Sequence, residues 1–238
     1  MNTIFLTFAI LKMLYPGNLS DWTSLFDGIS LKNWEIIDYE GHGEVSVADS
    51  CIIIGKGEFI TGIRWTSDFP KADYEVTLKA KRVNGNDFFC GMTFPVNDSH
   101  LTLVLGGWRG ALSGLSCIDG YDAANNPTGI IYGFGTGWWY DVRLRVSPNK
   151  VEAWVNDDEI VDFTIGKSKL SLRMEVESSV PFGITTYKTT GAVRDIKLKI
   201  IENALEMSRG NKTEAARRLG ISRYKLIREQ KKICNKIK

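Results

Sequence analysis

The 238-residue sequence predicts a mainly β protein, a jelly-roll sandwich followed by a small all-α helix-turn-helix domain. Between Trp34 and Lys199, short runs of β-branched and aromatic residues alternate with polar ones, and no long segment has helical periodicity. After residue 201 the pattern changes to short helices around glycines. We therefore expect an apolar extension over residues 1–19, a β-sandwich over 20–201, and a helix-turn-helix with a basic tail over 202–238.

Individual strands follow from strict alternation of apolar and polar side chains. Residues 74–81 and 140–146 each place an apolar residue at every second position, which is typical of half-buried strands. Pro148-Asn149 and Asn156-Asp157 are turn sequences on either side of another alternating run, and together they predict a pair of hairpins. Residues 193–201 are expected to form the last strand.

The segment after this strand carries the signals of two short helices joined by a tight turn. Asn211 and Glu214 have the spacing of a capping box at the start of a helix, and Gly210 can end the helix before it. Gly220 permits the positive φ that a tight turn between helices needs, and Ser222 can cap the next helix. A basic helix after such a turn is how helix-turn-helix proteins enter the major groove.

This segment resembles the Fis-type helix-turn-helix of bacterial regulators, since "GNKTEAARRLGIS" matches that family nearly position for position over roughly residues 202–233. The resemblance implies DNA as a partner. We expect the second helix to contact bases and phosphates through Arg223, Tyr224, Lys225 and Arg228. We expect the start of the first helix to hold the DNA backbone through Asn211, Lys212 and Thr213. Tight binding would require a homodimer that reads two half-sites.

Charge is distributed unevenly between the two parts. Residues 202–238 have a net charge of +7, whereas residues 1–201 have a net charge of −5. A local excess of cations attracts phosphates without regard to sequence, and salt weakens that attraction. The charge alone would also suit RNA or an anionic membrane, and the turn geometry favours DNA.

Two landmarks frame the predicted sandwich. Residues 22–34, which begin and end with tryptophan, and residues 192–200 resemble the two ends of a concanavalin-like sandwich family tied to 3-keto-disaccharide hydrolysis. The strand entry Gly137-Trp138-Trp139-Tyr140 fits the same family, and lectin-like sandwiches are broader relatives. The resemblance implies a concanavalin-like fold and a carbohydrate ligand or substrate.

The N-terminal segment and the cysteines indicate the cellular compartment of the protein. Residues 4–11 form an apolar run that is too short to span a membrane and lacks the basic start and small-residue cleavage site of a secretion signal. The four cysteines, Cys51, Cys90, Cys117 and Cys234, have no metal-binding or redox spacing. We expect a cytoplasmic protein with reduced thiols that does not bind membranes, or a secreted one if the apolar run is a signal.

Candidate carbohydrate ligands concentrate between residues 100 and 121. A Trp-Arg pair flanked by glycines is typical of a loop that approaches a ligand closely, and sugars bind beside exposed aromatic faces. The residues predicted to bind carbohydrate are His100, Trp108, Arg109, Asp119 and Tyr121. Equally, Trp108 could plug the end of the core. Of the adjacent Trp138 and Trp139, a strand would point one inward and one outward, and the outward one is a second sugar platform.

Hydrolysis of a glycosidic bond generally needs two carboxylates on either side of the bond. Glu175 and Glu177 lie two residues apart, and in a strand they would share one face at roughly 7 Å. They are therefore the catalytic candidates. Because His42 and His100 are the two histidines of the sequence, we expect no multi-histidine metal centre. We also expect no cofactor.

These observations favour a DNA-binding regulator that carries a carbohydrate-recognising sandwich. The alternatives are a glycosidase-like or 3-keto-disaccharide hydrolase with a vestigial helix-turn-helix, and a non-catalytic lectin-like protein.

Overall fold

The computed structural model describes residues 22–201, 212–218, 222–224 and 227. Residues 22–201 form two antiparallel β-sheets packed face to face, which confirms the predicted sandwich. Strands are labelled β1 to β15 in chain order.

The first sheet, here called the back sheet, has the strand order β13-β12-β11-β6-β15-β4-β3, with β1 also paired to β15. Its strands are β1 (Thr23–Ser24), β3 (Val45–Ala48), β4 (Cys51–Ile54), β6 (Tyr74–Asn84), β11 (Trp139–Ser147), β12 (Lys150–Val155), β13 (Asp158–Thr164) and β15 (Thr190–Ile200).

The second sheet, here called the front sheet, has the order β10-β9-β8-β7-β14-β5-β2. Its strands are β2 (Trp34–Ile36), β5 (Ile60–Trp65), β7 (Cys90–Val96), β8 (Ser99–Gly107), β9 (Leu112–Ser116), β10 (Ile130–Ile131) and β14 (Gly183–Tyr187). A 3₁₀ helix at Met174–Ser179 precedes β14.

The core lies between the sheets and is built by the alternation seen in the sequence. In β6 the inward positions from Tyr74 to Ala80 are at most 2 % exposed, and β11 buries the matching positions from Tyr140 to Val146. Aromatic side chains fill one end of this core, where Phe69 stacks on Phe182 at 4.5 Å between ring centroids. Burial of these apolar faces is the main stabilising contribution to the fold.

The last strand departs from the simple alternation that the sequence predicts. β15 begins at Thr190, three residues before the predicted start, and its register with β6 shifts between Arg194 and Lys197. Asp195 lies in this bulge with a φ of 54°. The extra residue lets Arg194 pair opposite Lys79 and Lys197 opposite Thr77, on the outer face of the sheet.

Beyond the sandwich, the helix predicted after Asn211 is present as α1 (Lys212–Arg218). Ala216 of this helix is 2 % exposed. The Arg217 guanidinium pairs with Glu214 one turn earlier at 2.9 Å and with Asp98 of the β7–β8 turn at 3.3 Å. An ion pair therefore joins α1 to the sandwich.

Candidate functional site

A groove of about 300 Å³ lies on the outer face of the front sheet. Its floor comes from β5, β8 and β9, and its walls come from two loops and the 3₁₀ helix. The lining residues are Ile60, Asp87, Phe88, Thr102, Val104, Trp108, Ser116, Arg173, Glu175, Val176 and Tyr187.

The floor is formed by the strand positions that face away from the core. In β8, Leu101 and Leu103 are fully buried inside the sandwich, so Thr102 and Val104 point to the opposite face. The Thr102 hydroxyl lies 3.0 Å from that of Thr93, so the two form a hydrogen bond across neighbouring strands. The floor therefore combines the hydroxyl-bearing Thr102 and Ser116 with the apolar Ile60 and Val104.

One wall is the β8–β9 loop, which carries Trp108 and Arg109. Both residues have positive φ, 47° and 70°, and Gly106 and Gly110 on either side have positive φ as well. The buried guanidinium of Arg82 holds both ends of this loop, donating to the Gly106 carbonyl at 3.1 Å and the Gly110 carbonyl at 2.8 Å.

Arg82 also donates to the Phe134 carbonyl at 3.1 Å, and its guanidinium lies over the Phe89 ring. Burial lowers the pKa of this guanidinium below its usual value. A cation that satisfies three carbonyl oxygens explains how a loop of left-handed residues is kept in one conformation. A Cβ on Gly106 would lie 2.4 Å from the Arg82 guanidinium, so this position requires glycine.

The same side of the groove contains a carboxylate and two stacked rings. Asp87 accepts hydrogen bonds from the backbone N–H groups of Phe88 at 2.8 Å and Arg109 at 3.3 Å, which fixes its side chain beside Trp108. The Phe88 ring stacks on Tyr187 with 5.9 Å between centroids. This wall therefore offers aromatic surface next to a hydrogen-bond acceptor.

The 3₁₀ helix and the residue before it form the other wall. Arg173 binds Glu175 at 2.8 Å and Asp122 at 3.3 Å, so its charge is neutralised on two sides. The hydrogen bond from Arg173 holds the pKa of the Glu175 carboxyl below its usual value. Glu175 is consequently ionised at neutral pH and acts as an acceptor.

The structure separates the five residues predicted to bind carbohydrate. Trp108 lines the groove and is 41 % exposed, and Arg109 is beside it in the same loop. His100 lies near the other end of β8, seven residues and roughly 23 Å from Gly107. Asp119, which accepts the backbone N–H of Lys169 at 2.7 Å, and Tyr121 lie beyond the end of β9, on the same side as His100.

The strand geometry predicted for the catalytic candidates is wrong. Glu175 and Glu177 belong to the 3₁₀ helix, so their spacing of two does not put them on one face. Glu175 lines the groove, whereas Glu177 is exposed and is not among the lining residues. The buried residues of this helix are Val176 and Ser179, whose spacing of three is that of a 3₁₀ turn and not of a strand.

The expectation that one of Trp138 and Trp139 points into the core is also wrong. β11 begins at Trp139, whose neighbours in register place it on the outer face, and Tyr140 is the first inward residue. Trp138 precedes the strand and is 71 % exposed.

Of the residues predicted to bind DNA, Thr213, Arg223 and Tyr224 are exposed, and Lys212 begins α1. Asn211, Lys225 and Arg228 lie outside the described residues.

Most residues of the groove could not be predicted from the sequence. Asp87, Phe88, Thr102, Ser116, Arg173 and Tyr187 come from separate segments of the chain, and the strand pairing of the sheet brings them together. The buried role of Arg82 could have been predicted from the sequence, because Arg82 occupies the next inward position after Ala80 in an otherwise apolar series.

Comparison with known proteins agrees with this architecture. The model of the 3-keto-alpha-glucoside-1,2-lyase-like domain matches residues 21–199, three quarters of the chain. The chain belongs to this family. A second model, of the Fis family of bacterial regulatory proteins, matches residues 192–228, so both resemblances noted in the sequence are confirmed.

Solved structures of other proteins have a similar fold. A candidate glycosyl hydrolase from Parabacteroides distasonis is 14% identical with a TM-score of 0.51, over 76% of this chain and 95% of that one. The Emp46p carbohydrate recognition domain is 11% identical with a TM-score of 0.50, over 71% and 88%. A Bacillus subtilis protein of unknown function with a galectin-like fold is 13% identical with a TM-score of 0.50, over 71% and 90%.

A comparison with curated proteins found no significant match. Among the residues that the structure describes, no three His, Cys, Asp or Glu side chains cluster in a way that could hold a metal ion. Within the same residues, no helix is long and apolar enough to span a membrane.

Proposed function

We propose that the sandwich binds a saccharide in the groove of the front sheet. The observation that carries this proposal is that the exposed Trp108 indole lines the same groove as the hydroxyl-bearing Thr102 and Ser116 and the Arg173–Glu175 ion pair. The apolar face of a sugar ring packs on an indole, while its hydroxyls bind carboxylates, a guanidinium and side-chain hydroxyls. Asp87 and Glu175 are acceptors at fixed positions on the two walls.

The protonation state of Glu175 suits it to accept hydrogen bonds from a saccharide and not to act as a general acid. A general acid must carry a proton near neutral pH, and the pKa of Glu175 is lowered by Arg173. None of the residues that line the groove is a histidine. If the groove has a hydrolase or lyase activity, Glu175→Gln would abolish turnover, whereas simple recognition would survive with weakened affinity.

We expect Trp108→Ala to weaken saccharide binding by at least about tenfold, since a loss of about 1.4 kcal/mol is tenfold in affinity and a buried aromatic face contributes at least that much. Binding would be detected on a glycan array and quantified by calorimetry with the full chain. Trp22→Ala is the matched control, because Trp22 is 39 % exposed at the edge of the back sheet and away from the groove. Equal affinities of the parent and the Trp108 variant would contradict the proposal.

A second function, DNA binding by residues 202–233, is supported by the match to the Fis family and by the net charge of +7 over residues 202–238. The exposed Arg223 and Tyr224 are available to a nucleic acid. In this proposal the protein is a transcriptional regulator whose sandwich recognises a carbohydrate.

The triple variant Arg223→Ala/Lys225→Ala/Arg228→Ala tests this second function. We expect its affinity for duplex DNA to fall at least about tenfold, and its log–log salt slope to decrease by roughly 0.9 for each lost phosphate contact. Fluorescence anisotropy over a salt series measures both quantities. Replacing Lys56, Lys167 and Lys169 in the sandwich with alanine removes the same charge elsewhere and is the control. Equal losses in the two triple variants would indicate an effect of net charge alone.

A further inference from the structure

The seven tryptophans of the chain fall into three groups. Trp34 and Trp65 are buried and pack edge to face at 5.4 Å. Three others are covered by cations: Arg143 lies 3.8 Å from the Trp154 ring, Arg194 and Lys81 lie over Trp139, and Lys199 lies over Trp22. The remaining two are Trp108 and Trp138. Neither of these has a cation or a second ring against it among the described residues.

Trp138 is a platform with one face open. Its indole rests on Gly135, where a Cβ would lie 3.5 Å from the ring, and the side chain is 71 % exposed. The backbone below it is fixed, since the Gly135 N–H donates to the Tyr140 hydroxyl at 2.6 Å and the Gly137 N–H donates to the Arg82 carbonyl at 2.7 Å. An exposed indole on a rigid, glycine-floored loop is suited to an apolar ligand face.

Arg82 forms hydrogen bonds to both loops that carry Trp108 and Trp138. Its side chain binds Gly106 and Gly110 on either side of Trp108, and it binds Phe134 at the start of the segment that leads to Trp138. Trp108 and Trp138 therefore lie at the same end of the sandwich on loops that one residue fixes relative to each other. The groove beside Trp108 is about 300 Å³, the small end of the range for ligand sites, so a longer ligand must leave across its rim.

We propose that Trp138 is a second subsite for the saccharide held in the groove, and that the preferred ligand is an oligosaccharide that extends over this end of the sandwich. The inference rests on the proposed saccharide-binding function. Its consequence is a dependence of affinity on chain length that the groove by itself would not produce.

The test is a calorimetric titration of the full chain with maltooligosaccharides and cellooligosaccharides, from two to six glucose units, which sample α and β linkages. In at least one series we expect the parent's Kd to fall at least about tenfold between the disaccharide and the hexasaccharide. Trp138→Ala is expected to bind the disaccharide within about twofold of the parent and to lose the gain with length. Trp138→Phe should keep part of the gain, and Trp22→Ala should keep all of it.

The outcomes separate the two proposals. Should the disaccharide bind while longer chains gain nothing, or should Trp138→Ala keep the full gain, the subsite is refuted and the groove stands. If neither series binds the parent at any length, the saccharide function fails for these ligands and the subsite fails with it. Circular dichroism of each variant would confirm folding, which we expect to be unchanged because Trp138 lies on the surface.

Discussion

Arg82→Met is expected to lower the free energy of unfolding by at least about 3 kcal/mol, because three buried carbonyl oxygens lose their donor and each unsatisfied group costs about 1–3 kcal/mol. Methionine keeps much of the apolar volume of arginine, so the loss reports on hydrogen bonding more than on packing. The change also removes the restraint on the Trp108 loop, so saccharide affinity should fall together with stability. Urea denaturation measures the first effect and calorimetry the second.

Two further variants provide the controls for the Arg82→Met measurement. Arg82→Lys keeps the charge but cannot reach all three carbonyls, and we expect an intermediate loss. Arg64→Met removes a guanidinium that pairs with Glu35 on the surface, and we expect a loss of at most about 1 kcal/mol. If Arg82→Met were as stable as Arg64→Met, the buried guanidinium would not be what holds the loop.

Phe182→Ala is expected to cost about 3–5 kcal/mol, the usual range for deleting a fully buried phenyl ring. Phe182 is 0 % exposed, stacks on Phe69 at 4.5 Å and packs against Trp34 at 5.9 Å. Its carbonyl accepts the backbone N–H of Trp65 at 2.7 Å. Because it follows the 3₁₀ helix by three residues, Phe182 anchors the wall of the groove that carries Glu175.

The free energy of unfolding, again measured in urea, checks this expectation. Phe182→Leu keeps part of the buried volume and should lose less, which provides a measurable variant if the alanine variant does not fold. Phe59→Ala is the control, since Phe59 is 54 % exposed and its removal should cost less than about 1 kcal/mol. A loss for Phe182→Ala similar to that for Phe59→Ala would show that the aromatic cluster does not anchor this wall.

The sandwich was predictable because one face of each central strand is buried. Tyr74 to Ala80 and Tyr140 to Val146 alternate for this reason, and the turn at Pro148-Asn149 fixed the hairpin between β11 and β12. The bulge at Asp195 was not predictable, because a single inserted residue leaves the local polarity pattern nearly unchanged.

The candidate site was predictable only at Trp108, where glycines mark an unusual backbone. Glu175 was found with the wrong geometry, since an alternating five-residue run is compatible with both a strand and a short helix. The floor residues, such as Thr102 and Ser116, acquire their role from pairing between strands. No local pattern specifies which face of a strand will lie beneath a distant loop.

The contact between Arg217 and Asp98 has a thermodynamic consequence. Asp98, which also pairs with Lys71, lies immediately before β8, the strand that carries Thr102 and leads to Trp108. A phosphate that binds Arg217 in place of Asp98 forgoes this ion pair, at a cost of up to about 1 kcal/mol for an exposed pair. Linkage makes this coupling reciprocal. A ligand that weakens the Arg217–Asp98 pair would raise the affinity of α1 for an anion, and the bound anion would raise the affinity for that ligand by the same factor.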